Sequence, residues 1–239
     1  MERVDVAIVG GGPAGTSAAL TAAEAGADAL VLERGVPRAD REGPGPDSTD
    51  AAGMLDYWVD IMEFDPADIP EEVILAELDG ADFIGPNEAM RLETTGIDAS
   101  YDGFGFAFHR ARFDDWLREE AEAAGASYRV GDSVTGVESD LGGSEPGDES
   151  GSESGTTPGD VTHTLSLSNG EDVAADALVL ADGPQRTVTM GALDQFMPEG
   201  RSVSAYLSPP KANHIAYQEH RRVPEELWEP RYLKFWWGV

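Results

Sequence analysis

Apolar positions are grouped along the chain in two rhythms. Val4–Val9 is a short, β-branched run that reads as a buried strand. A glycine-rich turn follows, and residues 16–25 are alanine-rich and helical up to Gly26. Residues 29–32 form a second apolar run. A strand, a helix and a strand with such short joints predict a parallel β–α–β unit. Residues 35–48 read as a loop. Residues 49–62 read as a helix, with Met54, Leu55, Trp58 and Ile61 on one face.

Residues 72–108 carry short alternating segments, the pattern of a small inserted sheet, with one strand at 104–108. A helix is expected over 112–124, closed by Gly125, and strands over 128–130, 134–138, 161–167 and 177–180. Residues 139–160 differ, with six glycines, six acidic residues and only Leu141 as a bulky apolar side chain. Such a stretch buries too little surface to offset its ordering entropy, so a flexible acidic loop between two hairpin strands is expected. Two aromatic-rich segments, 215–217 and 232–237, read as strands, with Trp236 and Trp237 expected in strand core. The fold class is therefore α/β, a Rossmann-type domain with a parallel sheet and an inserted small β-layer. The domain is expected over 1–200, and 201–239 begin a second, mixed-sheet domain.

Charge narrows the setting. The 239 residues hold 46 Asp and Glu against 16 Lys and Arg, a formal net charge of −30. The acids are spread along the chain, which fits a solvated surface adapted to high salt: in molar salt the Debye length is about 3 Å and self-repulsion is screened. Nucleic acid is excluded as a partner for want of a basic patch. With no cysteine, disulfides, thiolate zinc sites and iron–sulfur clusters are excluded from this sequence. No signal-peptide pattern opens the chain, and no apolar run approaches the roughly 20 residues of a membrane span. A cytoplasmic protein is expected, with peripheral membrane contact left open.

The chemistry starts at Gly10-Gly11-Gly12-Pro13-Ala14-Gly15, a GxGxxG turn between the first strand and the first helix. In that setting the pattern is a dinucleotide fingerprint. Gly10 allows the tight turn, Gly12 the approach of a pyrophosphate, and Gly15 close helix packing. The pyrophosphate then lies at the helix N-terminus. Glu33, ending the second strand, is placed to accept from the adenosine ribose and would repel a 2′-phosphate. Arg34 beside it is a candidate cover for the adenine. Far downstream the apolar run 177–180 ends in Asp182-Gly183, which returns a carboxylate to the mouth of the same sheet. The four histidines show no metal-ligand spacing.

With Arg110-x-x-Phe113-Asp114-x-x-Leu117, these motifs resemble, as a set over residues 1 to about 190, FAD-dependent enzymes of the two-dinucleotide-binding type. Within that group the chain is most similar to the geranylgeranyl reductase and FixC-type dehydrogenase branch. The resemblance implies FAD as cofactor, with Arg110 near it, the Val134 backbone at the adenine, and Asp182 and Gly183 near the pyrophosphate and ribityl portion. It implies reduction of isoprenoid carbon–carbon double bonds, or electron transfer of the FixC type. The partners are then a small-molecule or lipid substrate and an electron donor: NAD(P)H, ferredoxin or a flavoprotein. An aromatic-hydroxylase-type monooxygenase and a catalytically incomplete FAD- or nucleotide-binding module are the alternatives. The branch's loop cysteine is replaced by Ser48-Thr49-Asp50, and no later Gly-Asp motif precedes Val239. No catalytic proton donor is assigned.

Overall fold

The computed structural model describes residues 1–36, 51–140, 162–213, 222, 224, 226 and 228–238. In chain order the elements are β1 (Glu2–Val9), α1 (Pro13–Glu24), β2 (Ala29–Glu33), β3 (Ala51–Leu55), α2 (Asp56–Met62), β4 (Ile74–Leu78), β5 (Gly80–Ile84), β6 (Ala89–Leu92) and β7 (Gly105–His109). Then come α3 (Arg110–Ala124), β8 (Ser127–Val130), β9 (Val134–Asp140), β10 (Thr162–Leu167), β11 (Asp172–Leu180), α4 (Thr187–Asp194), α5 (Ser204–Leu207), α6 (Pro209–Ala212) and β12 (Tyr232–Trp236). The chain divides into two compact units, Met1–Gly43 with Leu117–Ile215, and Pro44–Trp116 with Ala216–Val239.

The first unit is built on a six-stranded sheet in the order β8-β2-β1-β11-β10-β9. β8, β2, β1 and β11 run parallel. β10 and β9 continue the sheet as antiparallel strands. Alternation along the central strands explains why both faces are covered. Val9 of β1 and Leu30 and Leu32 of β2 point into one cluster with Leu165, Val173 and Ala175. Ile8, Ala29 and Val31 point the other way, onto Ala19 and Ala23 of α1 and onto Ala121 and Ala126. A parallel sheet buried on both faces needs continuous apolar strands, and the sequence supplies them. Alanine at the helix contacts lets α1 lie close to the sheet.

The second unit contains two three-stranded sheets, β3-β7-β4 and β12-β5-β6. Phe106 and Phe108 of β7 are buried, and Phe108 packs against Phe113 with ring centroids 4.5 Å apart. β12 pairs in parallel with β5 from Tyr232–Gly80 to Trp236–Ile84.

Several expectations are corrected. The helix read over 49–62 starts only at Asp56. The preceding residues form β3, paired from Ala51–His109 to Leu55–Gly105, because the available edge of β7 outweighs local helix propensity. The face read there holds only in part: Met54 is buried, but Trp58 is 43% and Ile61 61% exposed, and Val59 is the apolar side chain buried in α2. Trp236 and Trp237, read as strand core, are 61% and 62% exposed. β11 begins at Asp172, and α4 to α6 fill a stretch that the sequence pattern left unassigned. Ser139 and Asp140, read as loop, are paired strand residues. The loops expected over 37–48 and 141–160, and the strand over 215–217, lie outside the described residues. No described helix is long and apolar enough to cross a membrane.

β12 is fastened to β5 and β6 by charge. Arg91 of β6 donates from Nε and Nη2 to the nearly buried Asp82 of β5 at 2.6 and 2.8 Å. Arg91 also reaches Glu229 and lies 3.8 Å from the centroid of the Tyr232 ring. Lys234 of β12 pairs with Glu229 and stands 3.9 Å from Asp82. The hydrogen bond from Arg91 holds the Asp82 carboxyl below the usual range, and Lys234 does the same for Glu229. A depressed folded-state pKa gives stability that is present above the unfolded value and lost as pH falls. All five tryptophans (58, 116, 228, 236 and 237) lie in this unit, so their emission reports its unfolding. The denaturant midpoint read by that emission is expected to be flat from about pH 5 to 7 and to drop below about pH 4. Arg91→Met is expected to lower the neutral plateau and weaken the acid dependence; an unchanged profile would show that the cluster contributes nothing.

Candidate functional site

The carboxyl ends of β1, β2 and β11 meet at one edge of the first unit's sheet, and the glycine turn crosses between them. The Gly10 amide donates to the Leu32 carbonyl at 2.9 Å, and the Ala181 amide donates to the Val9 carbonyl at 2.8 Å. Gly10 has φ of 103°, in the region that favours glycine. A β-carbon there would overlap the carbonyl oxygen of Ala181, so the end of β11 forms a wall against the turn. A β-carbon on Gly15 would overlap the Gly10 carbonyl oxygen and come within 3.2 Å of Ile8. These two glycines are fixed by the protein's own backbone.

Gly12 is different. A β-carbon there would meet nothing within 4 Å, and its φ of −74° with ψ of 179° suits any residue. The turn is open on that side. Gly12 is the N-cap of α1, no side chain caps it, and the first turn holds no acid. Pro13 at the first helical position lacks an amide hydrogen in any case. The other first-turn amides have no acceptor within the helix, so among the described residues the positive end of the helix faces an open space with no protein anion on it. That is the cradle a phosphate group requires.

Two carboxylates flank the turn. Glu33 accepts from the Gly11 amide through Oε2 at 2.6 Å and from the Gly35 amide through Oε1 at 2.5 Å. Gly11 is itself constrained, since a β-carbon would lie 3.1 Å from Cβ of Glu33. Asp182 accepts through Oδ2 from the amides of Val188 and Thr189, at 2.7 and 3.1 Å, and through Oδ1 from the Thr189 hydroxyl at 2.5 Å. It thus caps α4 from the preceding strand end. Gly183 opens a 3₁₀ turn, Gly183–Gln185, with φ of 72°.

The structure brings together Gly10, Gly12, Pro13, Ala14, Gly15, Glu33, Asp182 and Gly183. Arg34, next to Glu33, is exposed. Val134 opens β9 with its side chain in the core. Arg110 lies in the second unit, where its Nε donates to Asp114 at 2.6 Å. Burial pushes the Asp114 carboxyl up, against the pull of Arg110. Phe113 is buried against Phe108 and Trp116, so the motif's apolar members anchor the start of α3. Sequence reasoning missed the donors that occupy the two carboxylates. A Thr-x-Thr start to a helix just after Asp182-Gly183 was the available signal for α4.

The second unit also holds an open cleft of about 980 Å³, lined by residues that include Asp60, Glu63, Glu77, Asp79, Tyr101 and Arg231. Arg231 is held by Asp79 at 2.7 and 2.5 Å. This lining is rich in carboxylates, which disfavours both a phosphate and a hydrocarbon chain. Among the described residues no group of acids and histidines is arranged to hold a metal ion.

Residues 5–93 match the FAD binding domain family. The chain is 37% identical over 130 residues to digeranylgeranylglycerophospholipid reductase 2 of Methanopyrus kandleri, covering 53% of this chain and 28% of that protein. It is 34% identical over 137 residues to the protein FixC of Salmonella typhi, covering 56% and 30%. A geranylgeranyl bacteriochlorophyll reductase-like structure from Thermoplasma acidophilum superimposes with a TM-score of 0.55 at 25% identity, covering 80% of this chain and 42% of that one. The matched stretch thus spans under a third of these two curated relatives. The fold is a Rossmann-like FAD-binding fold, and FAD is the cofactor.

The glycine turn can be tested without ligand. Gly10→Ala and Gly15→Ala are expected to destabilise the first unit by about 2 kcal/mol or more, because each added methyl meets backbone that cannot move aside. Gly12→Ala is expected to cost a few tenths of a kcal/mol. Thermal melts followed by far-UV circular dichroism would compare the three; equal losses would refute the assignment of what each glycine faces.

Proposed function

We propose that this chain holds FAD at the glycine turn and serves an FAD-dependent oxidoreductase that reduces isoprenoid carbon–carbon double bonds. The observation that carries the cofactor placement is the side of Gly12 that is open among the described residues, above a helix N-terminus on which no described acid lies. Gly10, Gly12, Pro13, Ala14 and Gly15 form the cradle for the pyrophosphate. Glu33 keeps lone pairs for the adenosine ribose while it braces Gly11 and Gly35. Arg34 and the Val134 backbone serve the adenine end, and Asp182 and Gly183 border the pyrophosphate and ribityl portion. Bound FAD supplies a two-electron carrier; the protein's part is to place it and to balance its charge.

The substrate class rests on likeness to the Methanopyrus kandleri reductase and to the reductase-like Thermoplasma acidophilum structure. Likeness to FixC supports a second reading, in which the chain passes electrons between a donor and an acceptor instead of reducing a lipid. In either case the donor is NAD(P)H, ferredoxin or another flavoprotein.

Protein purified in molar salt is expected to carry flavin absorbance and to release FAD on denaturation. Gly12→Ala is expected to fold normally yet bind FAD at least about tenfold more weakly, because its methyl intrudes on the cradle. Under anaerobic conditions, chemically reduced holoprotein is expected to add two hydrogens per double bond to a geranylgeranyl lipid, read by mass spectrometry. Hydroxylated product with oxygen uptake would overturn the reductase reading in favour of a monooxygenase. Flavin oxidation by a protein or quinone acceptor, with the lipid unchanged, would favour the FixC-like role.

A further inference from the structure

We propose that Thr189 is a positioning residue for the cofactor, acting through Asp182 on the first glycine of the turn. The proposal rests on the FAD reading above and concerns a residue outside every motif that suggested it. The Thr189 hydroxyl donates to Oδ1 of Asp182 at 2.5 Å, and the Val188 and Thr189 amides donate to Oδ2. Three donors from the start of α4 therefore fix one carboxylate. Asp182 directly follows Ala181, whose carbonyl is the wall against which Gly10 turns, and Cα of Asp182 itself would lie 3.2 Å from a β-carbon on Gly10. The connection runs without a gap from the Thr189 hydroxyl to the Asp182 carboxylate, the Ala181 carbonyl, Gly10 and the cradle amides.

The intervening loop is also held by bonds of its own. Arg186, in the left-handed region with φ of 52°, donates from Nη1 to the Pro184 carbonyl at 3.0 Å and to Oδ1 of Asn213 at 2.6 Å. Nδ2 of Asn213 donates to the same Pro184 carbonyl at 2.7 Å. None of these bonds involves Asp182 or Thr189, so loss of the Thr189 hydroxyl leaves them in place.

Charge gives the contact its reason. A carboxylate beside an expected diphosphate repels it unless the negative charge is taken up elsewhere. The amides and dipole at the start of α4 take up that of Asp182, and the hydroxyl holds the carboxylate in the orientation that lets them do so. Without the hydroxyl, Oδ1 is free to turn away from α4, and both the wall and the local potential shift against an anion.

The test is FAD affinity measured by flavin fluorescence quenching in molar salt, beside the melting temperature of the apoprotein. Thr189→Val keeps the shape and removes the hydroxyl; it is expected to weaken FAD binding about three- to tenfold, the scale of part of one charge-assisted hydrogen bond. Thr189→Ser is expected to restore affinity to within about twofold. A lowered melting temperature with unchanged FAD affinity would show that Thr189 only stabilises α4, and would overturn the proposal. Wild-type protein that takes up no FAD would instead overturn the cofactor reading itself. Hydrogen exchange on the wild type gives an answer that needs no variant: FAD is expected to slow exchange at the Val188 and Thr189 amides, and unaltered exchange there while Gly10–Gly12 become protected would equally overturn the proposal.

Discussion

The parallel pairing of β1 with β11 holds the candidate site together, in register from Glu2–Val173 to Val9–Leu180. It joins the start of the first unit to a strand near its end, so it closes a long loop and incurs the corresponding entropy. Burial on both faces offsets that cost: Ala7, Ile8, Val173 and Ala175 are fully covered, and Val9 nearly so. Parallel register has a geometric consequence as well. Both strands end on the same side, so the turn after Val9 and the turn after Leu180 must pass each other at backbone distance. Only a residue without a β-carbon can stand at Gly10 when the Ala181 carbonyl is there. The same requirement fixes Gly15, where α1 crosses above Gly10. The helix N-terminus is thereby held over the ends of the strands, where ligands of open α/β sheets bind.

Two acids beside an anion cradle look contradictory until their partners are counted. Both oxygens of Glu33 accept backbone amides, from Gly11 and from Gly35. Both oxygens of Asp182 accept from the start of α4. Each carboxylate faces donors on the protein side and has its charge partly spent before a ligand arrives. An amide donor to a carboxylate is stronger than one to a neutral acceptor, so the same bonds stiffen the turn on its two flanks. The acids act first as braces, which is compatible with an anion between them and also explains why Gly11, a variable position in the GxGxxG pattern, is glycine here: a side chain would crowd Glu33.

What could be read from the sequence follows the range of the forces involved. The β–α–β unit and its glycine turn are local, and the run of Val4–Val9, the alanines of α1 and the position of Glu33 were enough to place them. β3 could not be placed that way. Ala51–Leu55 looks helical with the residues after it, and it is a strand only because β7 offers an edge between Gly105 and His109. Trp236 and Trp237 misled in the other direction, since large aromatic residues in a strand suggest a core and these are mostly exposed. The Asp-Gly motif was legible as a return to the sheet mouth. What Asp182 binds there was not, because its donors belong to α4, a helix with weak periodic signal that takes its start from the carboxylate itself.

The acidic composition meets the candidate site at a sharp boundary. From Gly10 to Ala23 the chain has no charged side chain at all, in a protein with 46 acids in 239 residues. Elsewhere most described arginines are matched to carboxylates, as in Arg3 with Asp176, Arg118 with Glu122, and Arg129 with Glu2 and Glu171. Such exposed pairs contribute little each, and the surplus of acid remains. In dilute buffer that surplus would oppose a bound diphosphate over the full width of the unit. In molar salt the Debye length is about 3 Å, so only groups touching the ligand matter, and those are amides of the turn and the open end of α1. In strong salt an acidic surface and an anion cradle can therefore share one domain where the contact surface is free of uncompensated acid, and among the described residues the neutral stretch and the two occupied carboxylates meet that condition.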